Sequence, residues 1–198
     1  MGTGDLDGLR IVGGHPALDL ANTVAPRGPD GTDYLTDPAA LLTWAKLVGL
    51  LSGDEAAEVA EAWAAAPVSA ETARRDTLTL RALIDPVLDG RDLDALTWRW
   101  TEAIARSALH PAGEGRAVLH VGTEAAHRIP DRLADALVDL VRHADRSRLR
   151  ACPRCGFLFL DRSRNASRRW CSMDDCGTAV KSSRLTERRR NAARPTSI

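Results

Sequence analysis

Apolar residues recur at three- and four-residue steps through most of the first 141 positions, and this spacing predicts an array of amphipathic helices. Asp37-Pro38, a cap residue followed by proline, opens the first long one, over 39–51. Leu41, Leu42, Trp44, Ala45, Leu47 and Val48 lie along it, and Ser52-Gly53 stops it. An alanine-rich helix follows over 54–66, with Val59 and Trp63 four apart, and Pro67 ends it. Ser69 is the expected N-cap of the next helix, whose stripe is Leu78, Leu80, Leu83, Ile84, Val87 and Leu88. Pro86 is expected to kink or end it. Two more helices are predicted over 92–108 (Leu93, Leu96, Trp100, Ile104, Ala108) and 130–141 (Leu133, Leu137, Leu140, Val141). The five tryptophans, Trp44, Trp63, Trp98, Trp100 and Trp170, are mostly core candidates.

Strand signals are few. Short strands are expected at 9–12, before Gly13-Gly14, and at 117–121, between glycines 115 and 122. A short helix is predicted from Pro16, and 26–33 is a loop rich in proline, glycine and aspartate. The pattern changes near 142–150, although the last long helix could run across that boundary. Phe157–Asp161 is a strand candidate, 162–167 a polar turn, and Arg169-Trp170 a return toward a final helix. The fold class is mainly α with short β strands. It divides into an α-rich domain over 1–145, a small hairpin-and-helix module over 146–192 and a tail over 193–198.

Charge gives that boundary a meaning. The 198 residues carry 27 Lys+Arg and 27 Asp+Glu, a formal charge of zero, which by itself argues against a nucleic-acid partner. From Met1 to Val141, however, there are 12 basic and 22 acidic residues, a net of −10. From Arg142 to Ile198 there are 15 basic and 5 acidic, a net of +10. Such asymmetry points to nucleic acid as the partner of the basic part, or to an acidic protein surface, including that of its own body. No apolar run approaches the roughly 18 residues of a membrane span, and Met1–Leu9 lacks the pattern of a secretory signal. A cytoplasmic protein is expected. Only Lys46 and Lys181 among the basic residues are lysines, and alanine is abundant, as in a GC-rich bacterial genome.

The basic part holds all four cysteines. Cys152, Cys155, Cys171 and Cys176 read C-x2-C-x15-C-x4-C, the spacing of a structural zinc site with two ligands on each of two turns. Four thiolates leave no open coordination position, so one Zn2+ would stabilise the fold rather than catalyse. Pro153 and Gly156 suit a tight first turn. A hairpin between the ligand pairs, followed by a helix, resembles treble-clef and ribbon zinc modules. The rival reading, a redox dithiol at Cys152 and Cys155, needs a βαβ context that the pattern lacks and leaves Cys171 and Cys176 without a role.

The stretch LFLDRSRNASRRWCSMDDCG at 158–177 resembles the CGNR-type zinc finger of bacterial proteins, and GGHPALDLANT at 13–23 is similar to the opening of the α-rich ABATE domain that precedes it in them. The resemblance implies a stress-induced transcription regulator with a DNA-binding finger. Two departures stand out. Cys176-Gly177-Thr178-Ala179 replaces the motif that names the finger, so the roles of its Asn and Arg do not carry over. The first ligand pair is separated by two residues where four is frequent.

Candidate nucleic-acid contacts are Arg162, Arg164, Arg168 and Arg169 on the turn, and Lys181, Arg184, Arg188, Arg189 and Arg190 beyond the last ligand. Lys181, Arg184 and Arg188 share one face of a helix. Arginines there can hold phosphates of duplex DNA and read guanine. A homodimer would suit palindromic DNA, and the α-rich domain is expected to sense a small-molecule effector or to oligomerise. His15, Asp19 and Asn22 form either a polar cluster lining a pocket or, more commonly, capping and hydrogen-bonding groups. His110, His120, His127 and His143 show no metal-type pairing. No nucleophile elbow, phosphate loop or dinucleotide fingerprint is present, so no enzyme is expected.

Overall fold

The computed structural model describes residues 6–180 and 182. Its helices are α1 (Pro16–Ala21), α2 (Pro38–Leu47), α3 (Gly53–Ala65), α4 (Pro67–Leu88), α5 (Leu93–Ala105) and α6 (Arg128–His143). Three antiparallel two-stranded ribbons join them. β1 (Val24–Ala25) pairs with β2 (Thr32–Asp33), β3 (Ala108–Pro111) with β4 (Ala117–His120), and β5 (Leu149–Ala151) with β6 (Leu158–Leu160).

The α-helical body is built around α4, which packs against α1, α2, α3, α5 and α6. Its buried Ala70, Ala73, Thr77, Leu80, Ile84 and Val87 follow the helical repeat, so one face meets the core throughout. Leu18, Leu20, Leu41, Trp44, Val59, Leu133 and Leu137 fill the space around it. Local capping fixes where the flanking helices start. The Asp37 carboxylate accepts from the Ala40 amide at 2.8 Å, with Pro38 at the first helical position. Ser52 and Glu55 form a reciprocal capping box at α3.

Several local expectations change. Pro67 separates α3 from α4 but also opens α4, because the first helical position needs no N–H. The cap is therefore Ala66, without a side-chain bond, and not Ser69. Pro86 lies inside α4 near its end, where it removes one hydrogen bond while buried Val87 and Leu88 carry the helix on. The helix expected over 92–108 stops at Ala105, and Ala108 begins β3. Its buried face is Leu96, Arg99 and Ala103, which leaves Trp98 66% exposed. Arg99 is buried against Asp131, which also binds Arg106. Trp44 and Trp63 are core residues, whereas Trp100 and Trp170 are half-buried. The last helix ends at His143 and does not cross into the finger.

No strand forms at 9–12. The amides of Val12 and Gly13 instead donate to Asp19 Oδ1 at 3.1 and 2.7 Å. A side chain at 13 would bring its Cβ to 2.9 Å from Asp19 N, so this turn requires glycine. Burial raises the Asp19 carboxyl above its ordinary pKa, and those two amides oppose the shift.

The turn sets the body against the cysteine module. Asn22, which caps the C-terminal end of α1, is fully buried. Its amide nitrogen donates to the Leu158 carbonyl and its oxygen accepts from the Leu158 amide, both at 2.8 Å. The Leu160 amide donates to Gly13 O at 2.9 Å, and the Arg27 amide to Cys155 O at 3.0 Å. The outer edge of β6 is thus paired with the segment around α1. Asn22→Ala would strand two buried backbone groups and is expected to cost about 2–4 kcal/mol. Denaturant unfolding checks this, and an unchanged midpoint would remove Asn22 as the anchor.

Candidate metal centre

The ribbon β5–β6 carries the first ligand pair at its turn, not between the pairs as the sequence pattern suggested. The Cys152 amide donates to Phe157 O at 2.8 Å and the Gly156 amide to Cys152 O at 2.9 Å. Gly156 has φ +73°, the left-handed conformation that ends such a knuckle most cheaply. Arg169 and Trp170 form no strand. They lead to Cys171 and to a short π-helical turn, Met173–Gly177, which is capped by Ser172 and contains Cys176.

The four sulfurs converge. All four Sγ atoms lie within 4.8 Å of one another. Cys155 to Cys171 is 3.4 Å, Cys171 to Cys176 is 3.6 Å, and Cys176 to Cys155 is 3.7 Å. A tetrahedral ion with metal–sulfur bonds of about 2.3 Å requires edges of about 3.8 Å, so the donor set fits a tetrahedral thiophilic metal. All four cysteines are free of disulfides, and their convergence makes them one set rather than an isolated dithiol.

Electrostatics point the same way. Burial pushes the Cys171 thiol up, and the neighbouring Cys155 and Cys176 sulfurs add to the shift. Burial raises Cys155 as well. At Cys152 burial is outweighed by the amides of Cys171, Arg154 and Cys155, which hold the thiol at about 6. Four thiolates this close repel, and a divalent cation is what lets all four ionise. Beneath them Phe157 and Phe159 are fully buried, with Val12, Ala25 and Trp170 packed alongside.

Two guanidiniums approach this cluster from opposite parts of the chain. Arg10 Nη1 and Arg154 Nη1 each lie 4.0 Å from Cys176 Sγ. Arg10 also pairs with Asp175 at 2.8 Å and sits 5.7 Å above the Phe157 ring. No local pattern marks Arg10 as part of the site.

The arginine turn divides by role. Buried Asp161 orders it by accepting from the amides of Ser163 and Arg168, both at 2.8 Å. Arg168 is built into the fold. It donates to the carbonyls of Trp170 and Cys171 and lies 4.5 Å above the Phe159 ring. Arg162, Arg164 and Arg169 are exposed, with Arg162 also donating to Gly14 O at 2.6 Å. Lys181, Arg184, Arg188, Arg189 and Arg190 lie outside the described residues, as does the helix face they were assigned to. At the altered motif the Thr178 hydroxyl donates to Met173 O at 3.0 Å. Among the described residues, the long-range ion pair joining body and module is Arg10–Asp175, with the base on the body; Asp145–Arg148 at 3.6 Å is a local pair at the boundary itself.

His15, Asp19 and Asn22 are committed to structure. His15 caps α1 by accepting from the Ala17 amide and meets Asp139 at 3.3 Å. Asp19 holds the Gly13 turn, and Asn22 holds Leu158. The stacked His110 and His120 rings, 4.4 Å apart, lie on the β3–β4 ribbon.

An α-helical body with a four-cysteine metal module docked on α1 is thus the class of protein at hand. Residues 14–144 match the model of the ABATE family, described as "Putative stress-induced transcription regulator", and residues 148–189 match the CGNR zinc finger. The chain belongs to the ABATE family and carries a CGNR zinc finger. Comparison with curated protein sequences gives no match. No helix among the described residues is long and apolar enough to cross a membrane.

Removing the metal with a chelator is expected to lower the melting temperature and release four titratable thiols. Arg10→Gln should weaken metal affinity about tenfold, in the range of outer-sphere substitutions. Competition with a chromophoric chelator measures this, and unchanged affinity would assign Arg10 to docking alone.

Proposed function

We propose that this chain is a cytoplasmic transcription regulator that binds duplex DNA through a finger built on one structural Zn2+. Cys152, Cys155, Cys171 and Cys176 would hold the ion, and the α-helical body would sense an effector or oligomerise. The metal supplies rigidity to the finger, with no vacant position for substrate. The family description supports a regulator in preference to an enzyme.

One observation carries the DNA reading. Arg162, Arg164 and Arg169 stay exposed beside the metal-anchored turn, and none of them forms an ion pair with a body carboxylate among the described residues. A finger that served to neutralise its own acidic body would spend these charges there. Its seat is made instead by backbone hydrogen bonds, by the Asn22 amide on Leu158, by Arg162 on a carbonyl and by the Arg10–Asp175 pair, whose base lies on the body. Lys181, Arg184, Arg188 and Arg189 extend the basic sequence and complete the proposed interface. A homodimer would present two such fingers to a palindromic site.

The zinc-loaded protein is expected to bind duplex DNA with an affinity that falls steeply with salt. The pair Arg164→Glu and Arg169→Glu should weaken binding and flatten the log–log salt slope by about 2, one unit for each lost phosphate contact. Fluorescence anisotropy across a salt series reads both. Absence of duplex affinity in the intact zinc protein at low salt would overturn the reading. Co-purification of an acidic protein, unaffected by nuclease, would favour a protein-interaction module.

A further inference from the structure

Helices α5 and α6 pack together but leave a groove of roughly 340 Å³ along their flank. α5 supplies Leu93, Leu96 and Trp100 as walls, and α6 supplies Val138 and Val141. The polar groups of these walls are already engaged. The Trp100 indole N–H donates to Asp135 Oδ1 at 2.9 Å, and the Thr97 hydroxyl donates to Leu93 O at 2.8 Å. Leu93 remains 43% exposed, so the groove opens to solvent through an apolar rim.

The charged group lining this groove is Arg142, an exposed side chain with no ion-pair partner among the described residues. The two carboxylates nearest in sequence are engaged elsewhere, Asp139 by His143 at 2.9 Å and His15 at 3.3 Å, and Asp145 by Ser147 at 2.6 Å and Arg148 at 3.6 Å. Apolar walls beside an unneutralised guanidinium are complementary to a molecule with a hydrocarbon body and a carboxylate head. A guanidinium presents paired donors to a carboxylate, and a volume of this size lies at the lower end of small-ligand sites, about 300–1,000 Å³.

We propose that the α5–α6 groove binds a small amphipathic carboxylate, with its tail against Leu96, Trp100, Val138 and Val141 and its head on Arg142. This names a ligand class for the sensing role proposed above. It rests on that role only for any effect on DNA, because binding to the groove is measured without DNA.

The test uses the full-length zinc protein with octanoate as the probe and octanol as its uncharged counterpart, followed by calorimetry and Trp fluorescence. Octanoate is expected to bind more tightly than octanol. Arg142→Gln, on an exposed helix end, should weaken octanoate about three- to tenfold and leave octanol unchanged. Val138→Phe, which fills the groove, should weaken both while circular dichroism and metal content stay the same. Three outcomes overturn the proposal. One is no binding of either probe at millimolar concentration. Another is octanoate binding that is insensitive to both substitutions. The third is a dimer, seen by light scattering and dissociated by Val138→Asp, because the groove would then be covered by a second copy.

Discussion

The two hydrogen bonds between Asn22 and the Leu158 backbone join a body that has a core to a finger that almost lacks one. The finger's own buried cluster contains two large side chains, Phe157 and Phe159, and three cysteines. A module of this size buries too little apolar surface to offset its chain entropy unaided. Two outside contributions make up the difference. The metal converts four repelling sulfurs into cross-links, so that its binding free energy is also folding free energy. The body lends Val12 and Ala25 to the cluster around the sulfurs and takes Leu158 into its own core. Neither contribution is interchangeable with the other, because the metal orders the knuckle while Asn22 fixes where it sits.

Charge follows from the same arrangement. A divalent ion with four thiolates carries a net −2, and the two guanidiniums within 4.0 Å of Cys176 Sγ stand against it. One is Arg154 of the knuckle itself, and the other comes from the acidic body. Six of the described basic residues of the finger therefore fall into two groups. Arg148, Arg154 and Arg168 are bonded into the module, Arg148 through the carbonyls of Asp161 and Ser163. Arg162, Arg164 and Arg169 are exposed, with Arg162 also donating to Gly14 O. Counting all of them toward a nucleic-acid surface overstates it. Counting the body's acids as their partners misplaces the contact, since the long-range ion pair that joins the two regions, Arg10–Asp175, has its base on the body.

The elements that could be read from sequence were those whose causes are local. Asp37-Pro38 marks a helix start because a carboxylate and a proline suit that position whatever lies beyond. The cysteine spacing marks a metal site because two knuckles must bring four sulfurs together. Pro67 and Ser69 misled because proline stops one helix and starts another with equal ease, and tertiary packing of α4 decided between them. The Ser52–Glu55 box is local too, but Ser52-Gly53 suits a helix stop as well as a helix start. The contacts of Arg10, of Asn22 and of the buried Arg99–Asp131 pair have no local signal. Their partners lie between 32 and 166 residues away, and no periodicity records a contact at that distance. The polar cluster His15, Asp19 and Asn22 is visible as a group, and the capping role of His15 and the turn held by Asp19 are local, but the partner of Asn22 lies on a strand 136 residues later.

That cluster also shows how the helical body reaches the finger. His15 Nδ1 accepts the Ala17 amide at the start of α1, which leaves Nε2 as the nitrogen that bears the proton and donates to Asp139 on α6. Asn22 closes the other end of the same helix and grips Leu158. α1 has six residues, under two turns, and a helix that short moves as a rigid unit. It packs along α4 and α6, with a further tie to α6 at one end and to the finger's inner strand at the other. The imidazole at one end is a weak tie, at 3.3 Å to a half-exposed carboxylate, and the buried amide at the other is a strong one.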